Sequence, residues 1–266
     1  MLQKFRFFPV SFSWVAIHPE PKGVIQFMGG AFFGSFPTIF YRHFLQTLFE
    51  EGYTIIALPF KFSFRHWSIA IDLLKEQEIL RQELKEIANN LDYHHEVYQE
   101  KANYFWLGHS LGCKYIALLE YLSAPQWKQE VKESFHEQPD YQKIKILLTN
   151  SGLGNASILD QPSILVAADI SNTESAIPIR PIARLLECFG LGVKPTREET
   201  QSFIMSSSLF NLTALISFNK DTLAGSITDA CKSEKIRANS YFLWLFEQLK
   251  KKKASDLAQR VRRKTF

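Results

Sequence analysis

Residues 104–112, Tyr-Phe-Trp-Leu-Gly-His-Ser-Leu-Gly, constrain the fold more than any other stretch of the chain. The apolar run from Tyr104 to Leu107 suits a short buried strand. Leu111, Tyr115, Ile116, Leu119 and Leu122 then recur at helical spacing on one face. Between the two lies Gly108-His109-Ser110-Leu111-Gly112, a Gly-x-Ser-x-Gly sequence. A serine on a sharp strand-to-helix turn has strained backbone angles. The residues two away on either side must be nearly free of side chain for the turn to close. The helix starting there directs its positive dipole end and free N–H groups toward the serine hydroxyl. This stretch predicts an elbow with Ser110 at its apex.

The remainder alternates strand and helix periods, the pattern of an α/β sheet. Residues 5–10, 13–17, 23–28 and 53–58 read as strands, and Gly29-Gly30-Ala31-Phe32-Phe33-Gly34 follows the third as a glycine-rich loop. Pro37 suits a helix first turn, and Ile39, Phe40, Phe44, Leu45, Leu48 and Phe49 repeat at helical spacing. Residues 69–91 form a long amphipathic pattern. Residues 125–141 are polar throughout and read as a surface excursion. Residues 164–168 are favoured as the next sheet strand, with 144–149 an open alternative. Residues 212–218 read as a further strand and 240–249 as an apolar helix. Three prolines, Pro178, Pro181 and Pro195, divide a segment at about 171–210 that reads as a lid. Residues 1–250 are thus expected to form one domain with that lid, and 251–266 a basic tail.

At 266 residues, with 46% hydrophobic and 22% charged side chains, the chain has the balance of a globular protein with ample core. The net charge of +4 comes from the C-terminus, where Lys250 to Lys253 and Arg260, Arg262, Arg263 and Lys264 crowd together. The tail reads first as a solvated, frayed helix end. The alternative is weak attraction to an anionic membrane. Only Phe266 is aromatic there, which argues against a specific nucleic-acid platform. Cys113, Cys188 and Cys231 are odd in number and widely separated, so neither disulfides nor a metal site is expected, and no cofactor either. The first residues lack a signal-peptide core, and no apolar run reaches membrane-spanning length. The expected location is the cytoplasm.

The strand–Gly-His-Ser-Leu-Gly–helix unit resembles the elbow of the α/β-hydrolase fold. Residues 28–34, 52–59, 108–113 and 173–178 together are similar to an uncharacterised cyanobacterial and plant family known as domain of unknown function 1350. The resemblance covers about residues 23–249 and implies a photosynthetic organism. It brings no known reaction. It implies a mostly parallel sheet flanked by helices with a helical lid. It also makes this chain look one strand short, since a full hydrolase sheet adds a last strand, a histidine loop and a closing helix after the 240–249 helix. The histidines are His18, His43, His66, His94, His95, His109 and His136, so none occupies that late position.

Ser110 is the candidate nucleophile, and it needs a base within hydrogen-bond reach. The oxyanion hole would use the N–H of Leu111 and a second N–H from the glycine-rich loop, Ala31 or Phe32. Asp221 follows the strand that usually precedes the acid in this fold, and Asp169 is the alternative acid. Either also suits a loop or helix cap. His66, at the carboxyl edge of the sheet, is the candidate base, with Arg65 beside it able to meet an acidic group. His109 is read as packing, and His94-His95 lacks a third metal ligand. The expected activity is that of a serine hydrolase on an ester or thioester with an apolar portion, weak without the usual histidine. The alternative is a non-catalytic scaffold that binds a hydrophobic ligand.

Overall fold

The computed structural model describes residues 4–124, 146, 156–170, 192–206 and 213–264. The polar excursion at 125–141, most of the lid at 171–210, Cys188 and, apart from Ile146, the alternative strand at 144–149 lie outside these residues.

Seven strands form one sheet in the order β1-β2-β4-β3-β5-β6-β7. They are β1 (Phe8–Val10), β2 (Ser13–Ala16), β3 (Gly23–Met28), β4 (Tyr53–Ala57), β5 (Tyr104–His109), β6 (Ser163–Val166) and β7 (Thr213–Ile216). The pairs β1/β2 and β2/β4 are antiparallel, and the rest are parallel. The helices are α1 (Pro37–Phe40), α2 (Arg42–Glu50), α3 (His66–Asn90), α4 (Gly112–Ser123), α5 (Arg197–Ser206), α6 (Glu234–Asn239) and α7 (Tyr241–Lys264).

The central strands are buried on both faces, so they read as continuous apolar runs rather than alternating ones. All six residues of β3 are buried. Their period of two divides them between two cores. Val24 and Met28 join the side chains of α3, α4, α5 and α7. Ile25 and Phe27 face the other way and meet Leu45 and Phe49 of α2. Gln161 Oε1 accepts hydrogen bonds from Trp106 Nε1 at 2.7 Å and Gln26 Nε2 at 3.0 Å, tying β3 and β5 to the loop before β6.

Helix α4 is enclosed on every side, with all twelve residues buried. It lies between the sheet, α3 and α5, where Phe203 stacks on Tyr121 at 4.5 Å and leans on Trp67 at 5.4 Å. On the α2 face the covering is incomplete among the described residues. Ile164 and its cross-strand neighbour Ala214 are exposed there, as is Ile216 opposite Val166. After β7 the described chain contains helices only.

One stretch differs from the sequence reading. The helical pattern at 37–49 breaks at Tyr41 into α1 and α2, and Ile39, Phe40 and Phe44 face solvent while Leu45 and Phe49 are buried. The phenol of Tyr41 turns inward instead, to Gly30 and His109. The terminal helix runs from Tyr241 through the basic residues to Lys264, because Lys, Arg, Ala and Gln are good helix formers and no Gly or Pro interrupts them.

Candidate active site

Ser110 has φ +51°, the left-handed region that non-glycine residues enter at a cost of about 1–2 kcal/mol. Three hydrogen bonds fix it there. Its N–H donates to the Val166 carbonyl at 3.0 Å, and its carbonyl accepts from Cys113 N–H at 3.0 Å and Asp169 N–H at 3.4 Å. The flanking glycines are required by contact. A Cβ on Gly108 would lie 2.8 Å from Ile116 Cδ1 and 3.0 Å from the Cys113 nitrogen. A Cβ on Gly112 would collide with the Met28 carbonyl oxygen and sit 2.8 Å from that of Gly29. The start of α4 is thus pressed against the end of β3, which brings the glycine loop alongside the serine.

Ser110 is half-buried. The N–H groups of Leu111 and Ala31 donate to no group among the described residues. Gly30 N–H is taken, donating to the Tyr41 hydroxyl at 2.8 Å. The loop closes on itself through a bond from Gly34 N–H to the Gly30 carbonyl.

Gly30 marks the point where the polar groups converge. A Cβ built on it would lie 3.3 Å from each of Ser110 Cβ, His109 Nδ1 and the Tyr41 hydroxyl oxygen. The Tyr41 hydroxyl and His109 Nδ1 are 3.0 Å apart. The phenol oxygen, which accepts from Gly30, can also accept from Nδ1–H, and in that tautomer Nε2 carries a free lone pair; in the other tautomer the hydroxyl donates to Nδ1 and the imidazole hydrogen is on Nε2. Burial lowers the His109 pKa, and the charge of Asp221 partly opposes that. His109 was read from sequence as packing. Its partner Tyr41 carried no sequence signal, because it stands in an aromatic-rich helical pattern where nothing marks one ring as inward.

The two acids occupy different environments. Asp221 is half-buried, and its Oδ1 caps its own turn by accepting from Leu223 N–H at 2.8 Å and Ala224 N–H at 3.0 Å. Asp169 holds Ser110 through its backbone, while its carboxylate acts on Cys113, Lys114 and Tyr241 behind the elbow.

His66 opens α3 and is 2% exposed. Its ring lies 5.3 Å from that of Tyr115 on α4, and its backbone N–H donates to the Lys194 carbonyl. Burial, then the charge of Lys114, holds its imidazole well below the ordinary histidine value. The groups gathered at Ser110 are Gly30, His109 and Tyr41. His66 has its own set of neighbours. Lys114 was not singled out from sequence. It is buried, donates from Nζ to the Pro195 carbonyl at 2.7 Å, and is pushed down to about 7 by burial. The available signal was a lysine in a helix with almost no other charge.

Among the described residues no three His, Cys, Asp or Glu side chains gather as a metal site, and no helix is long and apolar enough to cross a membrane.

A sheet in this order, with β2 alone running against the other strands and a strained serine between β5 and α4, defines an α/β-hydrolase fold. The family described as protein of unknown function (DUF1350) matches residues 7–262, and the chain belongs to it. Among solved structures it is similar to a proposed carboxylesterase from Lactobacillus plantarum (TM-score 0.47, 11% identity, 89% of this chain and 82% of that one). A lipase/esterase from the same organism gives TM-score 0.46 and 10% identity over 89% of this chain and 85% of that one. A further proposed carboxylesterase from that organism gives TM-score 0.41 and 14% identity, and the chain spans 61% of its length. No curated protein matches the sequence.

Proposed function

We propose that the protein is a serine hydrolase acting on an ester or thioester with an apolar portion. The observation that carries this reading is the left-handed backbone of Ser110, held between Gly108 and Gly112 beside the Leu111 and Ala31 amides, which donate to no group among the described residues. Stored strain of this kind at a half-buried serine is a feature of nucleophile elbows. In this scheme Ser110 Oγ attacks the substrate carbonyl carbon while a base takes its proton. The N–H groups of Leu111 and Ala31 hold the oxyanion. The proton passes to the departing alkoxide or thiolate, and water then hydrolyses the acyl-enzyme.

His109 is the stronger candidate for the base, since its ring shares the Gly30 contact point with Ser110. His66 is the second candidate, and Asp221 is the acid that influences His109. Fluorophosphonate labelling of wild type, Ser110→Ala, His109→Ala and His66→Ala tests the scheme. Labelling that requires Ser110 and His109 supports it. Loss with His66→Ala instead moves the base there. A folded wild type that does not label rejects the hydrolase reading.

One observation favours a second reading, a non-catalytic protein that binds a hydrophobic ligand. His109 Nδ1 is engaged by Tyr41 and Asp221 Oδ1 by its own turn, so neither displays the acid–histidine link of a complete triad.

A further inference from the structure

We propose that the loop after β3, together with the loop after β4, forms a surface that seats the protein on an anionic lipid bilayer, at the edge of the sheet where Ser110 lies. Phe32, Phe33, Phe36, Ile39 and Phe40 are 61%, 55%, 59%, 68% and 55% exposed, and Phe62 on the neighbouring loop is 37% exposed. Single exposed apolar residues are ordinary, but a contiguous group marks an interaction surface. These side chains crowd into two adjoining loops, and four of them pack in pairs. Phe32 stacks on Phe62 with ring centres 4.6 Å apart, and Phe33 meets Phe40 edge-on at 4.8 Å. An apolar-walled groove of about 1030 Å³ opens beside them, between the Phe36 and Phe62 loops and α3.

Charge identifies the cover. From Gly29 to Phe49 and from Leu58 to Ile71 the chain carries Arg42, Lys61 and Arg65 and no carboxylate. Lys61 and Arg65 are exposed on either side of Phe62, and Arg42, though it lies over the Phe5 ring at 5.3 Å, is exposed as well. The carboxylates nearest in the groove are Asp72 and Glu76, and Glu76 is turned into the protein by Ser11 and Ser13. Aromatic side chains set among cations match the headgroup region of an anionic leaflet, where the rings enter the acyl boundary and the cations meet phosphate. A second copy of the same surface would bring like charges together. The surface is distinct from the basic tail, and its binding needs no catalysis, so it is independent of the hydrolase reading and measurable on Ser110→Ala as well.

Co-sedimentation of the full chain with vesicles of phosphatidylglycerol and phosphatidylcholine, beside phosphatidylcholine alone, tests the proposal. The expected result is binding to the anionic vesicles that weakens in salt and with neutral lipid. The triple variant Phe33→Ser, Phe40→Ser, Phe62→Ser should lose affinity on the order of a thousandfold, since each inserted ring contributes about tenfold. Lys61→Gln with Arg65→Gln should lose about thirtyfold. Replacing Lys250 to Lys253 by Gln should leave most of the binding in place. Three results overturn the proposal. The first is no binding of wild type to anionic vesicles. The second is binding that survives the Phe substitutions and disappears with the tail lysines. The third is self-association abolished by the Phe substitutions, which would make the surface an interface between copies.

Discussion

Replacing Ser110 by glycine should make the protein more stable while removing its candidate nucleophile. The left-handed conformation at φ +51° costs a side-chain-bearing residue about 1–2 kcal/mol, and glycine adopts it freely. Against that stands the greater backbone entropy glycine loses on folding, roughly 0.5–1 kcal/mol. The serine hydroxyl makes no hydrogen bond among the described residues, so its removal alone should change little. Ser110→Ala is the matched control, because it deletes the hydroxyl but keeps the Cβ that causes the strain. The net gain of Ser110→Gly over Ser110→Ala is then about 0.5–1 kcal/mol. For a chain of this length that is roughly 1–4 °C in melting temperature. Thermal unfolding of both variants under identical conditions measures it, and neither should label with fluorophosphonate. A glycine variant that melts at or below the alanine variant would refute the claim that the elbow stores strain.

Two further outcomes follow from buried polar groups. Tyr41→Phe strands the Gly30 N–H and frees His109 Nδ1, so denaturant unfolding should show a loss of roughly 1–3 kcal/mol. Fluorophosphonate labelling should also slow as the loop carrying Ala31 loosens, and a variant with wild-type stability contradicts the bridging role given to this hydroxyl. Lys114 titrates at about 7 in the native protein, below its unfolded value near 10.4. Between those pH values the unfolded chain holds a proton that the native protein does not. The stability this group contributes is therefore present above the unfolded pKa and lost as pH falls toward 7, with a slope of at most about 1.4 kcal/mol per pH unit. Urea unfolding of wild type and Lys114→Met across neutral to alkaline pH should show that slope in wild type alone, and parallel curves would disprove it.

The strands were the most legible part of the sequence. The span of β3 agrees with its sequence reading at both ends, and β4 to β7 agree within two residues, because buried parallel strands appear as short apolar runs bounded by Gly, Pro or polar residues. The elbow was legible for a steric reason, since a side chain at 112 would collide with backbone oxygens of β3 and the glycine loop, and one at 108 would crowd the start of α4. The orientation of the helices after β3 was not legible. An apolar helical period predicts burial against the protein's own core, and the period at 39–44 does not distinguish that core from another apolar environment. The surroundings of Ser110 were the least legible. His109 adjoins the serine in sequence, but the direction of its ring depends on Tyr41, brought there by the break between α1 and α2. The contrast between Asp169 and Asp221 likewise arises from what surrounds β6 and β7, which strand periodicity does not encode.

The unevenly covered sheet gives this fold an uneven resistance to opening. β3 is hydrogen-bonded on both sides and packed on both faces, so freeing one of its amides requires disrupting two cores. β7 pairs only with β6 among the described residues, and Ala214 and Ile216 stand in solvent, so releasing it uncovers little further apolar surface. Opening free energies follow the contacts that must be broken. The amides of Thr213 to Ile216 should therefore exchange with solvent deuterium well before those of Gly23 to Met28. Because Ala167 N–H donates to the Ile216 carbonyl, and Val166 in turn accepts from Ser110, each such opening also loosens the chain that holds the serine in its strained pose.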